Sequence, residues 1–444
     1  MSFFPRQDTY SLSETSSEKV PMTVASLLAS HDNGDNWALD FVPLKNHGLV
    51  TSFSDGTLKL YPVGGPLGRS FTSIRTIKAH DCSIKRARSI DGNDLVGTAG
   101  EDGIKIFDLR QQGDKAVMSF HNERNIPFLS LDAKAHLLAG GTELKQQDSE
   151  LYIWDLRSTG VVRSFVDSHH DDITELRFHP TDDTFLLSGS TDGYVNIYDL
   201  TIPEEDDSLY QVINFASIHS AGWLSANRIY TLSHMETFAI HELNDRSDSN
   251  VEPQPLEFGD VRDKWECEYV VDVYPGFIAK GSNSRFIASL CPFRDEQIDL
   301  INKVDLNSAH GEEVVRTVYC PPNSDLIYTG GEDGCVKVWR SDVHLNAPEA
   351  FVENVYEGDA MDVDVDVDEE GQEESSEKEK SSKKEKKEKK DKKEKKEKKD
   401  KKEKKEKKEK KKEEEKKDKK EKKEKKDKKD KKDKKDKTHR FKPY

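Results

Sequence analysis

The sequence predicts an all-β fold: a closed, seven-bladed β-propeller followed by a lysine-rich tail that is disordered or a single helix. Three observations carry that prediction. Four segments share nearly the same phrase: Phe53–Tyr61 (FSDGTLKLY), Gly100–Asp108 (GEDGIKIFD), Ser190–Asp199 (STDGYVNIYD) and Gly331–Arg340 (GEDGCVKVWR). Turn aspartates along the chain recur at a near-constant interval, with Asp55, Asp102, Asp148 and Asp192 spaced 47, 46 and 44 residues apart, close to the roughly 40–45 residues of one four-stranded propeller blade. The 141 residues from Asp192 to Asp333 leave room for two blades with degenerate turns before a clear last one.

Composition divides the chain near Pro348. Residues 1–350 hold 30 Lys and Arg against 54 Asp and Glu, a net charge of −24, whereas residues 377–444 hold 40 against 21, a net charge of +19. The expected organisation is a flexible arm over 1–19, the propeller over 20–345, an acidic linker over 346–376 and a low-complexity tail over 377–444. Five cysteines, with no CxxC pair among them, suggest neither a zinc site nor a disulfide framework, and free thiols fit a reducing compartment. The sequence contains no apolar run of transmembrane length and its N-terminus lacks a secretory pattern, so a soluble intracellular protein is expected.

The blade chemistry follows from position. In each clear repeat a histidine precedes the turn aspartate by 22–24 residues: His31 and Asp55, His80 and Asp102, His170 and Asp192, His310 and Asp333. Between them a strand opens on a hydroxyl residue, Thr51, Thr98, Ser188 or Thr329, and an aromatic follows at Tyr61, Phe107, Tyr198 or Trp339. Such a set can pass hydrogen bonds from aspartate to histidine to hydroxyl to the aromatic's polar edge, satisfying buried groups in a stack of sheets with little helix to cap it. Glycine after each aspartate supplies the positive φ that a two-residue hairpin requires. Repetition of these His, Asp and Ser or Thr sets around the ring points to stability, not to catalysis.

The third repeat carries an enlarged polar hairpin, TELKQQDSE, expected to project from the ring, where binding tends to sit. In the fifth, roughly Leu209–Leu243, Met235 replaces the aspartate and His241 the aromatic, and the sixth, about Leu256–Ile301, is visible mainly in VVDVY, FIAKGS and RFIASLC. Because an open terminal sheet edge invites aggregation, the ends must meet. The apolar segment Val20–Leu28 (VPMTVASLL) is the expected outer strand of the last blade.

These residue sets resemble the WD repeat over about Val20–Asp342. Within that superfamily, LYIWDLRS at 151–158, DDITELRFHP at 171–180, SGSTDGYVNIYDL at 188–200 with EEDD at 204–207, IHSAGWLSANRIYTLSHMETFAIHEL at 218–243, GDVRD at 259–263 and GGEDGCVKVWR at 330–340 resemble the WD repeat-containing protein 89 family and its fungal relatives. The resemblance implies a seven-bladed nuclear propeller and supplies no reaction.

From Ser375 onward the sequence settles into a three-residue repeat of one acid and two lysines, unable to bury a core of its own. Its lysine clusters fit nuclear import, and its excess positive charge fits weak, salt-dependent RNA contact. The KKE and KKD repeats also resemble the tails of nucleolar ribonucleoprotein components.

The leading expectation is therefore a non-enzymatic, monomeric nuclear or nucleolar scaffold that needs no cofactor or metal. Its partners would be proteins, either basic clients or a multiprotein complex, with ribosome assembly the favoured setting. Two alternatives stay open. Asp108 with Arg110 and Asp155 with Arg157 form consecutive Asp-x-Arg boxes like those of cullin ubiquitin-ligase substrate receptors, which could pair bidentately with adaptor carboxylates, although each arginine could equally brace its own aspartate. Acidic loops, EEDD among them, would suit histone or chromatin binding if they converged on one face.

Overall fold

The computed structural model describes residues 23–64, 71–245, 253–343 and 345. The N-terminal arm, the acidic linker and the tail expected from the sequence lie outside the described residues. The rest forms seven antiparallel sheets, each built from strands a to d counted outward from a central channel. Blade one comprises Ala38–Leu44, Gly48–Phe53, Thr57–Tyr61 and Arg75–Lys78; blade two Arg86–Ser89, Leu95–Gly100, Gly103–Asp108 and Met118–Phe120. Blade three runs through Phe128–Lys134, Leu137–Thr142, Ser149–Asp155 and Gly160–His169, and blade four through Ile173–Phe178, Phe185–Ser190, Tyr194–Asp199 and Leu209–Asn214. Blade five follows with Ile218–Ser225, Arg228–Ser233, Thr237–Glu242 and Leu256–Asp260; blade six with Tyr269–Tyr274, Phe277–Ser282, Ile287–Arg294 and Val304–Asn307. Blade seven takes Val315–Tyr319, Leu326–Gly331 and Cys335–Arg340 from the end of the fold and Ser26–Asp32 from its beginning. Among the described residues the one helix is the four-residue Glu205–Ser208, and none is long and apolar enough to cross a membrane.

The b strands show why these sheets must stack. Phe185–Ser190, Phe277–Ser282 and Leu326–Gly331 are buried at every position, so both faces of a blade are apolar and each needs a neighbour. The core is accordingly seven clusters, one in each gap between blades. Leu58, Ile84 and Phe107 fill the gap from blade one to two, for example, and Ala25, Leu290, Ile327 and Trp339 that from six to seven. Glycine in the b–c turn is fixed by space as well as by φ. Gly334 has φ 71°, and a Cβ there would lie 1.9 Å from the Gly34 carbonyl oxygen, where the preceding loop crosses the turn.

Closure occurs between the expected ends, in a different register. The strand that completes blade seven is Ser26–Asp32, with Leu27 opposite Trp339 and Asp32 opposite Cys335. Upstream, Thr23–Val24 runs parallel to Val304–Asp305 as an extra outer strand of blade six. Apolar content alone points to Val20–Leu28. An outer strand, however, buries only one side: Ser26 and Leu27 are exposed while Leu28 and Ala29 pack toward blade one. The N-terminal segment thus fastens two blades.

Removing residues 1–32 leaves the Cys335–Arg340 edge unpaired and uncovers Trp339, which is 2% exposed. The truncated chain should self-associate in light scattering and melt earlier, with a peptide spanning residues 23–35 restoring the melting temperature. An unchanged, monomeric melt would show that this strand is dispensable.

Candidate interaction site

Strands alternate in direction, so the a–b and c–d turns gather on one face of the ring and the b–c and d–a loops on the other. The second face carries the polar relays. In blade seven, His310 Nδ1 lies 2.6 Å from Asp333 Oδ1 and its Nε2 lies 2.9 Å from the Thr329 hydroxyl, which also accepts from Trp339 Nε1 at 3.0 Å. A carboxylate can only accept, so Nδ1 carries the proton and Thr329 donates to Nε2. Burial outweighs the Asp333 hydrogen bond and holds the His310 pKa below its ordinary value. Burial also opposes charge on Asp333, but hydrogen bonds from His310 and Lys337 hold its carboxyl down to about 2. Blade two repeats the arrangement with His80 bridging Asp102 and Thr98, the hydroxyl at 2.7 Å, and with the apolar Phe107 in the aromatic position.

In blade four the histidine is His169, not His170. His169 Nδ1 meets Asp192 at 2.9 Å and Nε2 meets Ser188 at 2.7 Å, with the Tyr198 hydroxyl 3.4 Å beyond. The His170 side chain is 71% exposed, and only its backbone N–H reaches Asp192. Neighbouring residues in an extended segment point to opposite sides, and spacing alone could not choose between two adjacent histidines.

Blade one also departs from expectation. His31 Nδ1 pairs with the Tyr61 hydroxyl at 2.9 Å, while Asp55 turns to the backbone and hydroxyl of Thr57. The buried Thr51 hydroxyl has no partner among the described residues. In blade five His241 occupies the aromatic position and meets Thr231 at 3.1 Å. In blade six no motif signals that Lys280 replaces the hydroxyl: it is 1% exposed and its ammonium bonds the carbonyls of Trp265 and Glu266.

The channel encloses about 670 Å³, and its wall is charged. Glu175 of blade four, buried, receives Arg86 at 3.0 Å and Arg88 at 3.3 Å from blade two and Arg177 at 3.1 Å from its own strand. Burial would raise the Glu175 pKa, but the three guanidinium groups outweigh it and hold the carboxyl below its ordinary value. Inner-strand side chains also tie blade to blade. Asp40 accepts from the Ala87 N–H at 2.9 Å, Asp132 from Phe178 at 2.7 Å and Thr317 from Phe41 at 3.2 Å, while Ser220 donates to Asp272 at 2.7 Å.

The Asp-x-Arg boxes close on themselves. Arg110 gives Nε and Nη2 to Asp108, both at 2.9 Å, and Arg157 gives Nε and Nη2 to Asp155 at 3.0 and 2.6 Å. These hydrogen bonds hold both aspartates down to about 2. Asp260 and Arg262 of GDVRD form the same turn on the other face. The acidic EEDD segment braces the fold, since Glu205 accepts from the backbone N–H groups of Val166 and Asp167, both at 3.0 Å, and covers part of the outer edge of blade three. It lies in a c–d loop and so does not converge with the acids of the opposite face.

On the b–c and d–a face, Asp35, Asp81, Glu101, Glu123, Glu143 and Glu312 are exposed in successive loops. On the same face Trp37 and Met235 stand out, 42% and 64% exposed. The enlarged third-blade hairpin rises on this face, with Lys145 and Asp148 bridging across it.

The WD domain, G-beta repeat family matches residues 160–199 and 303–340. An uncharacterized WD repeat-containing protein of Saccharomyces cerevisiae is 49% identical over 341 residues, covering 74% of this chain and 86% of that protein. The chain belongs to the WD repeat-containing proteins. The WD repeat-containing protein 89 homolog of Dictyostelium discoideum is 25% identical over 282 residues, 61% of this chain and 75% of its own. Nucleoporin Nup43 of Homo sapiens is 27% identical over 208 residues, 42% and 52% of the two chains. WD-repeat propellers typically serve as interaction scaffolds, so the exposed loops, and not the buried relays, are where partners are to be sought.

For this WD-repeat protein, His169→Ala should lower stability in urea by about 1–3 kcal/mol through its two orphaned partners, whereas His170→Ala should stay within about 0.5 kcal/mol. Equal effects would reverse the assignment. Glu175→Gln should cost about 3–5 kcal/mol, because three guanidinium groups lose their shared counter-charge. The lowered pKa values of His80 and His310 make the unfolded chain the better proton acceptor. Their stabilisation is therefore complete above the ordinary value of 6.5 and declines as pH falls below it, a loss readable from urea midpoints between pH 8 and 5.

Proposed function

We propose that the protein is a nuclear interaction scaffold that receives a basic partner segment on its b–c and d–a face. The supporting observation is the run of exposed carboxylates, Asp35, Asp81, Glu101, Glu123, Glu143 and Glu312, on the face that also exposes the apolar Trp37 and Met235. Carboxylates steer a lysine- or arginine-rich segment to the face and raise its rate of encounter. Exposed apolar side chains on such a surface supply contacts that a partner can desolvate. Basic side chains are exposed on both faces, Lys85, Arg124 and Lys145 among the carboxylates of this one and Arg110, Lys115 and Arg157 on the opposite one.

The nuclear setting is supported by the lysine clusters of residues 377–444 and by the similarity of part of the chain to a nucleoporin. Ribosome assembly is the process this reading favours, because basic ribosomal clients suit the carboxylate face and the tail composition suits RNA-rich surroundings.

A triple reversal, Asp81→Lys, Glu101→Lys and Glu123→Lys, should weaken binding of a lysine- and arginine-rich peptide at least tenfold in calorimetry. The binding that remains should lose most of its salt dependence. Reversal of Asp91 and Asp114, on the other face, should leave binding unchanged. Equal losses from the two sets would remove the face assignment. Affinity purification with and without residues 377–444 tests the setting, which falls if preribosomal factors are recovered in neither case.

A further inference from the structure

We propose that His80, Cys82 and Asp102 of blade two form a zinc-binding site on the b–c and d–a face, a property independent of the scaffold reading. One donor atom from each residue, the imidazole nitrogen, the thiol sulfur and a carboxylate oxygen, lies within 4.8 Å of the other two. Zinc takes this mixture of nitrogen, sulfur and oxygen at about 2.0–2.3 Å, so donors this close need only small movements to surround one ion. Cysteine spacing alone hides the site, because the three residues converge only when the loop after strand d of blade one meets the b–c turn of blade two.

Blade two differs from the other relays at the position two residues beyond the histidine. His169 and His310 make the same contacts to Asp192 and Asp333, but two residues beyond them stand Asp171 and Glu312. Blade two has a thiol there, half-buried, with Sγ 3.9 Å from Asp102 Oδ1. The surrounding groups can support coordination. His80 Nε2 lies 2.7 Å from the Thr98 hydroxyl, and that hydroxyl has the Lys105 carbonyl at 3.3 Å as an alternative acceptor. With zinc on Nδ1, Nε2–H donates to Thr98 and Thr98 donates to the Lys105 carbonyl, the outer hydrogen bond that fixes a ligating histidine. The Lys105 ammonium holds Asp102 Oδ2 at 2.7 Å and leaves Oδ1 for the metal.

On zinc binding the imidazole stays neutral by exchanging its Nδ1 proton for one on Nε2, and Cys82 loses its thiol proton. Each zinc bound therefore releases one proton, and affinity rises with pH. The three ligands leave a fourth position for water or for a partner's side chain.

The full chain, stripped with chelator, should develop a thiolate-to-cobalt charge-transfer absorption on titration with Co2+, and Zn2+ should displace it. Cys82→Ser should abolish that band and weaken zinc binding at least ~10-fold. Cys335→Ser, beside the equivalent turn of blade seven, should leave both intact. In the unmodified chain, zinc should protect Cys82 from alkylation in peptide mass spectra, a readout that needs no variant. A wild-type chain without the band, a band that survives Cys82→Ser, or alkylation of Cys82 at an unchanged rate in zinc would each overturn the assignment.

Discussion

A blade with two apolar faces has no stable existence alone, and everything else in this molecule follows from that. Each sheet borrows the missing half of its core from the sheets on either side, so the array is satisfied only when the last blade also meets the first. Helical solenoids meet the same demand with polar caps at their ends. Here the demand is met by geometry, with the seventh inter-blade cluster formed by Phe53 and Tyr61 of blade one against Tyr328 and Val338 of blade seven.

Polar groups then serve position more than energy. Sheets stacked through smooth aliphatic surfaces could slide, and directional contacts such as Asp40 to the Ala87 N–H and Asp132 to the Phe178 N–H set the registration of one blade on the next. Glu175 extends this logic across the channel, holding blade two and blade four to a common centre. On the outer side the His–Asp relays fix the loops, and rigid loops are what a binding surface on this fold requires, because loop order acquired in advance is not lost again on association.

The repeat period, the Asp-Gly turns and the number of blades were legible in the sequence because hairpin geometry tolerates few residues. The relays were legible where a single histidine stood at the right distance, as at His80 and His310. They were not where two competed, at His169 and His170, or where a different chemistry took over: Lys280 satisfies carbonyls that a histidine relay would have left to other groups, and Tyr61 draws His31 away from Asp55. Glu205 of EEDD looked like a surface acid because composition does not reveal a neighbour. The backbone N–H groups of Val166 and Asp167, which Glu205 covers, come from the preceding blade. Three-body proximity, as among His80, Cys82 and Asp102, is invisible to any reading along the chain.

The strand that completes the seventh blade is made about 300 residues ahead of its partner Cys335–Arg340. At ribosomal speeds of about 5–20 residues per second, Ser26–Asp32 waits roughly 15–60 s for that partner. Once residue 78 has been added, and for the rest of that interval, the nascent chain holds a complete first blade with one bare side and a strand that has nothing to join. A cell that makes this protein must keep that early segment from pairing with other nascent chains, and the circle is completed only once synthesis has passed residue 340.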